Sequence, residues 1–404
     1  MARELYVRPT SMEPLFPMDQ AGALKELAFD LGQKSAQLGG ALHPITRQGV
    51  VELLRKMNSY YSNLIEGHNT HPVDIERALQ KDYSADPAKR ALQIESQAHI
   101  EVQVLMEQRL QEDETLKVCS PEFLCWLHAE FYARMPEEFR RVKTRSGGED
   151  WVKPGQLREC EVEVGRHVAP AFTSLPRFMQ RFAQCYEPTG LEPALRLLGA
   201  AAAHHRLAWI HPFLDGNGRV TRLFTHAYLI RLRAAGHGLW MMSRGLARHR
   251  EDYLAALASA DLPRQGDLDG RGNLSDRGLT HFCRFFLTTA LDQVEFMTRL
   301  LDLDAMQERI LAFADLLVFR TAAPKETRHL LRDVFLRGEV TRGEAGRLLQ
   351  MPERTARRHV GQLIADGVLV SNGPAAPVRL GFPASYVGHY FPQLYPAGVE
   401  LGRW

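Results

Sequence analysis

The chain has 404 residues, 24% of them charged and 45% hydrophobic; that composition is ordinary for a soluble globular protein, and the length predicts two or three domains. A formal net charge of +2 excludes a general affinity for nucleic acid or anionic membrane, and no run of about 18 apolar residues marks a membrane span. Cys119, Cys125, Cys160, Cys185 and Cys283 are odd in number and in no CxxC spacing, which predicts reduced thiols in a cytoplasmic chain; MARELYVRPTSMEPLF, with early acids and no apolar run, does not read as a signal peptide.

Helical periodicity dominates. Over 46–66, Val50, Leu53, Leu54, Met57, Tyr61, Leu64 and Ile65 recur at spacings of three and four, with Thr46 as N-cap and Gly67 as the residue just past the C-terminus. Residues 72–110 and 120–135 are expected to be helices, the second opened by Ser120-Pro121-Glu122. The period changes over 154–176, where CEVEV alternates and then breaks at Gly165, Pro170 and Pro176, predicting a short hairpin on a helical protein. Helices are expected at 192–210, 218–234, 247–260 and 277–300, the last two separated by PRQGDLDGRGN. Beyond about 305 the pattern is helix 326–337, helix 341–350, a turn at Met351-Pro352, helix 353–366 and a ribbon LVSNGPAAPVRL, the order of a winged helix-turn-helix.

The loop HPFLDGNGRVTR, 211–222, concentrates the chemistry. Asp215-Gly216-Asn217-Gly218 can take positive φ and fold into a nest of N–H groups, and the helix that starts there adds unpaired N–H groups and its positive dipole end. An anion, most simply a phosphate, fits that spot. Arg219 and Arg222 leave one helical face three residues apart and can reach further phosphates. Asp215 offers a hard oxygen to Mg²⁺, and His211 has the ordinary pKa of a general base near neutrality.

This stretch resembles the Fic family signature HPFx[DE]GNGRxxR, matched at His211, Pro212, Phe213, Asp215, Gly216, Asn217, Gly218, Arg219 and Arg222. PGQLR (154–158) and LSDRGLTHFCRFF also look like the family's, so the resemblance covers about residues 46–300. It implies a protein adenylyltransferase with ATP as substrate and Mg²⁺ as cofactor. His211 would deprotonate a Tyr, Ser or Thr hydroxyl of the target, and Asp215 would hold Mg²⁺. Gly216, Asn217 and Gly218 would line the α-phosphate site, and Arg219 and Arg222 would bind the β- and γ-phosphates. The 160–170 hairpin, with Val164, Gly165, Arg166 and His167, resembles the family's flap, which would hold a target segment by strand addition. Tyr253 lies in the region of the adenine contacts, with a core role as the alternative reading.

Ser62-Asn63-Leu64-Ile65-Glu66-Gly67 resembles the family's inhibitory motif [ST]xxxE[GN]. A Glu66 carboxylate paired with Arg222 would keep that arginine from the γ-phosphate, so the enzyme would be autoinhibited in one chain. In some relatives the corresponding glutamate also aligns a water that removes AMP. His204 and His205 lack the spacing and carboxylate of a metal site and are expected as core or surface histidines; Met241-Met242 is expected in the core or at the nucleotide cleft.

The expected architecture is an all-α Fic fold with a short β-hairpin flap and a C-terminal winged helix. It divides into an N-terminal helical region at 1–110 carrying the inhibitory helix, a catalytic core at 111–300, a linker helix at 301–325 and the winged helix at 326–404. Residues 326–404 hold 10 Arg against 7 Asp plus Glu, net +3, and Arg354, Arg357 and Arg358 make a basic patch that reads as a DNA contact or as part of a docking module. The expected function is self-inhibited AMP transfer to an unidentified target protein, auto-AMPylation included. The alternatives are AMP removal or another nucleotidyl transfer at the same site, and a DNA-binding regulator that senses nucleotide; the intact His211 speaks against a pure sensor. No membrane partner is expected, and a homodimer is a family-level expectation.

Overall fold

The computed structural model describes residues 6–18, 22–38, 40, 42–143, 148–165, 167–321 and 323–395. Prolines preceded by a capping side chain start several of the helices. After α1 (Ala23–Leu38), α2 (Pro44–Ile65) opens on Pro44 with His43 accepting from the Ile45 N–H at 3.3 Å. The cap is therefore not Thr46, whose hydroxyl instead donates to Phe335 O at 3.2 Å. α3 (Pro72–Leu79), α4 (Pro87–Glu112) and α5 (Pro121–Ala133) follow, capped by His71, Asp86 and Ser120. The single helix expected over 72–110 is two. Lys81 turns to φ 62°, and Pro87, lacking an N–H, holds Asp86 extended and restarts the chain as α4.

A hairpin of β1 (Arg141–Lys143) and β2 (Glu149–Trp151) precedes the expected one, which is β3 (Glu163–Val164) paired antiparallel with β4 (His167–Val168). Pro176 does not break the chain there. It sits in the first turn of α6 (Leu175–Tyr186), where a missing N–H costs nothing, and Leu175, Phe178, Met179, Phe182 and Tyr186 of that helix are buried. Then come α7 (Arg196–Ile210), α8 (Asn217–Arg231), α9 (Met242–Arg248), α10 (Arg250–Ala260), α11 (Asp276–Leu300) and α12 (Leu303–Thr321). α7 and α8 pack together and are buried on nearly every side, so the loop between them is anchored by the core at both ends.

The C-terminal segment runs α13 (Thr327–Arg337), β5 (Glu339–Val340), α14 (Arg342–Leu348), α15 (Glu353–Ala365), β6 (Leu369–Val370), β7 (Val378–Leu380) and α16 (Val387–Tyr390). Its strands form an antiparallel sheet in the order β5-β7-β6. The two-residue strand β5 is too short to leave an alternation in the sequence. This segment seats on α2 and α3: Tyr61 donates to Leu394 O at 2.6 Å, and the Ala384 N–H donates to Glu76 at 2.9 Å. Among the described residues no helix is long and apolar enough to cross a membrane.

Candidate active site

α7 ends at Ile210, and His211, its C-cap, takes a left-handed conformation with φ 50° and ψ 60°. Its Nδ1 lies 3.4 Å from Ala208 O, so the proton sits on Nδ1 and Nε2 keeps its lone pair. Burial, with His167 and Arg158 nearby, depresses the His211 pKa to about 4, so the ring is neutral at pH 7.

The turn that follows is built by side chains closing on backbone. Asn217 Oδ1 accepts from the Phe213 N–H at 2.9 Å while its Nδ2 donates to Phe213 O at 2.8 Å. Asn217 therefore spends its side chain on the loop, which leaves its N–H as its means of meeting an anion. Gly216, the N-cap of α8, sits at φ 77°, and a β-carbon there would lie 2.7 Å from Tyr132 Cε2. The first N–H groups of α8 have no acceptor within the helix. Asp215 is exposed, and its Oδ2 accepts from the Tyr132 hydroxyl at 2.7 Å. His128 accepts from the Gly155 N–H through Nδ1 at 2.9 Å and so turns Nε2–H toward Asp215 O at 3.3 Å, while its ring stacks on Phe213 at 4.1 Å.

Both signature arginines meet a carboxylate. Arg222, its side chain 3% exposed, donates from Nε to Ser62 Oγ at 2.8 Å, and from Nη2 to Ser62 O at 3.1 Å and Glu66 Oε1 at 2.6 Å. Glu66 is placed by the end of α2: Gly67, at φ 87°, donates to Leu64 O and His68 to Asn63 O, the paired bonds of a Schellman cap. Burial opposes ionisation of Glu66, but Arg222 and Arg219 together hold its carboxyl below the usual value. A β-carbon on Gly218 would collide with Glu66 Oε1, so this carboxylate lies over the first turn of α8. Arg219 is buried and pairs with Glu95 of α4, which also bonds His68 Nδ1 at 2.7 Å.

The hairpin is tied to the loop by Arg158. Its backbone N–H donates to Pro212 O at 2.9 Å, and its buried guanidinium donates to His211 O at 2.9 Å, Cys160 O at 2.8 Å and Pro170 O at 2.5 Å. His167 Nε2 donates to Trp209 O at 2.7 Å, fixing β4 beside the end of α7. Gly165 turns the hairpin at φ 60°, and Glu163 and Val164 of β3 are exposed; Arg166 lies outside the described residues.

Residues 118–229 match the Fic/DOC family. The chain carries a Fic/DOC domain. The protein adenylyltransferase Fic of Nematostella vectensis is 34% identical over 175 residues, 43% of this chain and 36% of that protein. Its counterpart in Drosophila erecta is 38% identical over 95 residues, 24% of this chain and 19% of that protein. The chain thus spans about a third or less of the length of the curated relatives it matches. In structure it is similar to a Fic family protein from Desulfovibrio desulfuricans G20 (TM-score 0.50, 17% identity, covering 88% of this chain and 95% of that one). It is likewise similar to Fic-1, residues 134–508, from C. elegans (TM-score 0.52, 14% identity, 69% and 73%). At these identities the likeness shows the fold: this largely helical chain has the Fic fold.

Tyr253 lies beyond the matched residues, beside the Arg222–Glu66 pair, whose charges bear on its hydroxyl. It is 4% exposed and its hydroxyl bonds His204 Nε2 at 2.8 Å; His204 Nδ1 bonds Thr225, whose hydroxyl donates to Thr221 O. Tyr253 and His204 are both packed in the core, with the Tyr253 hydroxyl next to Arg222. His205 is also buried, held by Asp261 at 3.1 Å, and Met241 and Met242 are buried. No group of three or more potential metal ligands forms among the described residues. Sequence reasoning missed Tyr132, His128, Arg158, Glu95 and His68. One signal was present: Glu95, Ser96, His99 and Gln103 make a polar stripe at helical spacing on α4, and all four are buried.

Four histidines share one electrostatic fate. Burial holds His99 and His204 down to about 3 and His128 and His211 to about 4, against an ordinary 6.5. A lowered folded pKa means that the unfolded chain binds these protons first, so the stability is complete above pH 6.5 and is lost as pH falls toward 4. Four such groups remove about 5 kcal/mol per pH unit, against a total stability of about 5–15 kcal/mol. Denaturant melts at pH 8, 6 and 5 are expected to show a falling midpoint and acid unfolding above pH 4; a midpoint constant from pH 7 to 4.5 contradicts the buried, neutral assignment.

Proposed function

We propose that this chain is a self-inhibited protein adenylyltransferase that moves AMP from Mg-ATP to a Tyr, Ser or Thr hydroxyl of a target protein, itself included. The observation that carries the proposal is the placement of an Nε2-unprotonated His211, the Asp215 carboxylate and the open N-terminus of α8 on one loop held by the core. In this reading the target hydroxyl attacks the α-phosphorus while His211 Nε2 takes its proton, and pyrophosphate leaves. The first N–H groups of α8 receive the charge that develops on the phosphoryl oxygens. The negative charge of a bound polyphosphate moves the depressed His211 pKa back up, toward a useful base. Asp215 fits Mg²⁺: it is a hard oxygen ligand, exposed, and oriented through one oxygen by Tyr132, leaving the other for a cation that arrives with phosphates. When bound, that ion would offset phosphate charge.

Glu66 is the brake of this proposal. It covers the first turn of α8 and holds Arg222, denying the γ-phosphate its partner. The same placement supports AMP removal as a second reading, since a carboxylate over the phosphate site can hold a water against a phosphodiester. ATP labelled at the α- or γ-phosphorus separates these chemistries. Protein-bound label from the α position alone supports AMP transfer, label from the γ position contradicts it, and release of AMP from a pre-modified target favours removal.

The exposed edge of β3 suits addition of a target strand, with β4 pinned by His167. The five cysteines are all free, in keeping with the reducing cytoplasm, where we place the protein. We read the C-terminal segment as a winged helix whose α15 presents exposed Arg354, Arg357 and Arg358 to DNA, although Arg357 is shared with Glu353 at 2.7 Å. A gel shift at about 50 mM salt that fades as salt rises is the expected result; no retardation of any DNA at that salt removes the contact.

A further inference from the structure

The two arginines at the start of α8 are held by two carboxylates of different kinds. Glu66, against Arg222, ends a helix, and its side chain is 34% exposed, so it can swing out to solvent. Glu95, against Arg219, lies within α4 with a side chain only 6% exposed. Both of its oxygens are committed: Oε1 accepts from Arg219 Nη2, and Oε2 accepts from His68 Nδ1 at 2.7 Å. A buried carboxylate that lost these partners would stand uncompensated, so Glu95 stays with Arg219 whether Glu66 is in place or not.

Arg219 is the third residue of α8, and a helical side chain leans back over the turn before it. Its guanidinium lies over the Phe131 ring, 5.5 Å from the centroid. Burial works against its charge, but Glu95 above all, then Tyr132, Glu66 and Asp215, raise its pKa above the ordinary value. The cation therefore stands near both the carboxylate that covers the first turn of α8 and the one that fits Mg²⁺. The phosphates of a bound nucleotide would lie in that neighbourhood.

We propose that Glu95 is a positioning residue of the phosphate site: it holds Arg219 at the first turn of α8, ready for the phosphates beyond the α position once Glu66 has left. His68 steadies the second oxygen of Glu95. The inference rests on the nucleotide reading given above. The test is calorimetric titration of the full chain with ATP and with AMP, on a Glu66→Gly/His211→Ala parent that binds without turnover. Onto this parent are placed Glu95→Gln, which keeps the shape and removes the charge, Glu95→Asp, which keeps the charge and withdraws the carboxylate, and Arg219→Gln. Glu95→Gln is expected to weaken ATP binding by about tenfold, Glu95→Asp by less in the same direction, and neither by more than Arg219→Gln. AMP, which has no phosphate for Arg219 to meet, is expected to bind all of them alike. A carboxylate that only supported the fold would weaken ATP and AMP together. That result, unchanged ATP binding in both Glu95 variants, or tighter ATP binding by Glu95→Gln as from a second brake, overturns the proposal and leaves the nucleotide reading standing. No ATP binding by the parent overturns both.

Discussion

Glu66→Gly is expected to raise the rate of AMP incorporation by about 10–150-fold, the equivalent of one charge-assisted contact of about 1.5–3 kcal/mol restored to the γ-phosphate. The substitution suits the backbone: Glu66 has helical φ and ψ of −77° and −2°, and the turn past it is held by Gly67, which stays. It takes the carboxylate off Arg222 and off the first turn of α8 at once, while Ser62 still holds the guanidinium through Oγ and carbonyl. Ser62→Ala should accordingly release the brake only in part. The pair is insensitive to pH near neutrality, because Arg222 and Arg219 hold the Glu66 carboxyl below its usual value and it stays ionised. Initial rates with Mg-ATP check this; equal rates in wild type and Glu66→Gly leave the contact without a regulatory role.

Arg158→Lys is expected to lower both stability, by about 2–4 kcal/mol, and the transfer rate, although it keeps the charge. The guanidinium bridges three carbonyls that belong to the α7–α8 loop (His211), the start of the hairpin (Cys160) and its exit (Pro170), a spread that a single ammonium cannot span. Burial lowers the Arg158 pKa to about 10, still far above neutrality, so this charge remains in place under His211. With the lysine, the carbonyls lose their donors, the hairpin loosens and His211 O is released. Denaturant midpoint and kcat measured together check this. A variant as stable as wild type and fully active would show that the hairpin and loop hold their places without it.

The candidate site was legible to the extent that its parts are neighbours in the chain. A helix N-terminus, a glycine at positive φ and a base one turn away are all properties of residues 211–222, and the fold places them together as read. Contacts from distant elements were not legible: Tyr132 reaches Asp215 across 83 positions and Glu66 reaches Arg222 across 156. The first left no pattern, and the second was visible only through the resemblance of 62–67 to an inhibitory motif. Tyr253, for which the sequence offered a nucleotide contact or a place in the core, packs on buried His204 beside Arg222. The helices followed their periodicity except where one residue outweighed it. Pro87 split an apparent long helix, and Pro176, which looked like a terminator, fell in a first turn where proline is tolerated.

Intact-mass measurement of wild type, Glu66→Gly and Glu66→Gly/His211→Ala after incubation with Mg-ATP tests the central claim most directly. The predicted result is a gain of about 329 Da per AMP on Glu66→Gly, little on wild type and, with the general base gone, a rate lower by about 10²–10⁴ in the double variant. An adduct that forms equally well without His211, or none on Glu66→Gly even with cell lysate supplied as target, contradicts AMP transfer by this loop.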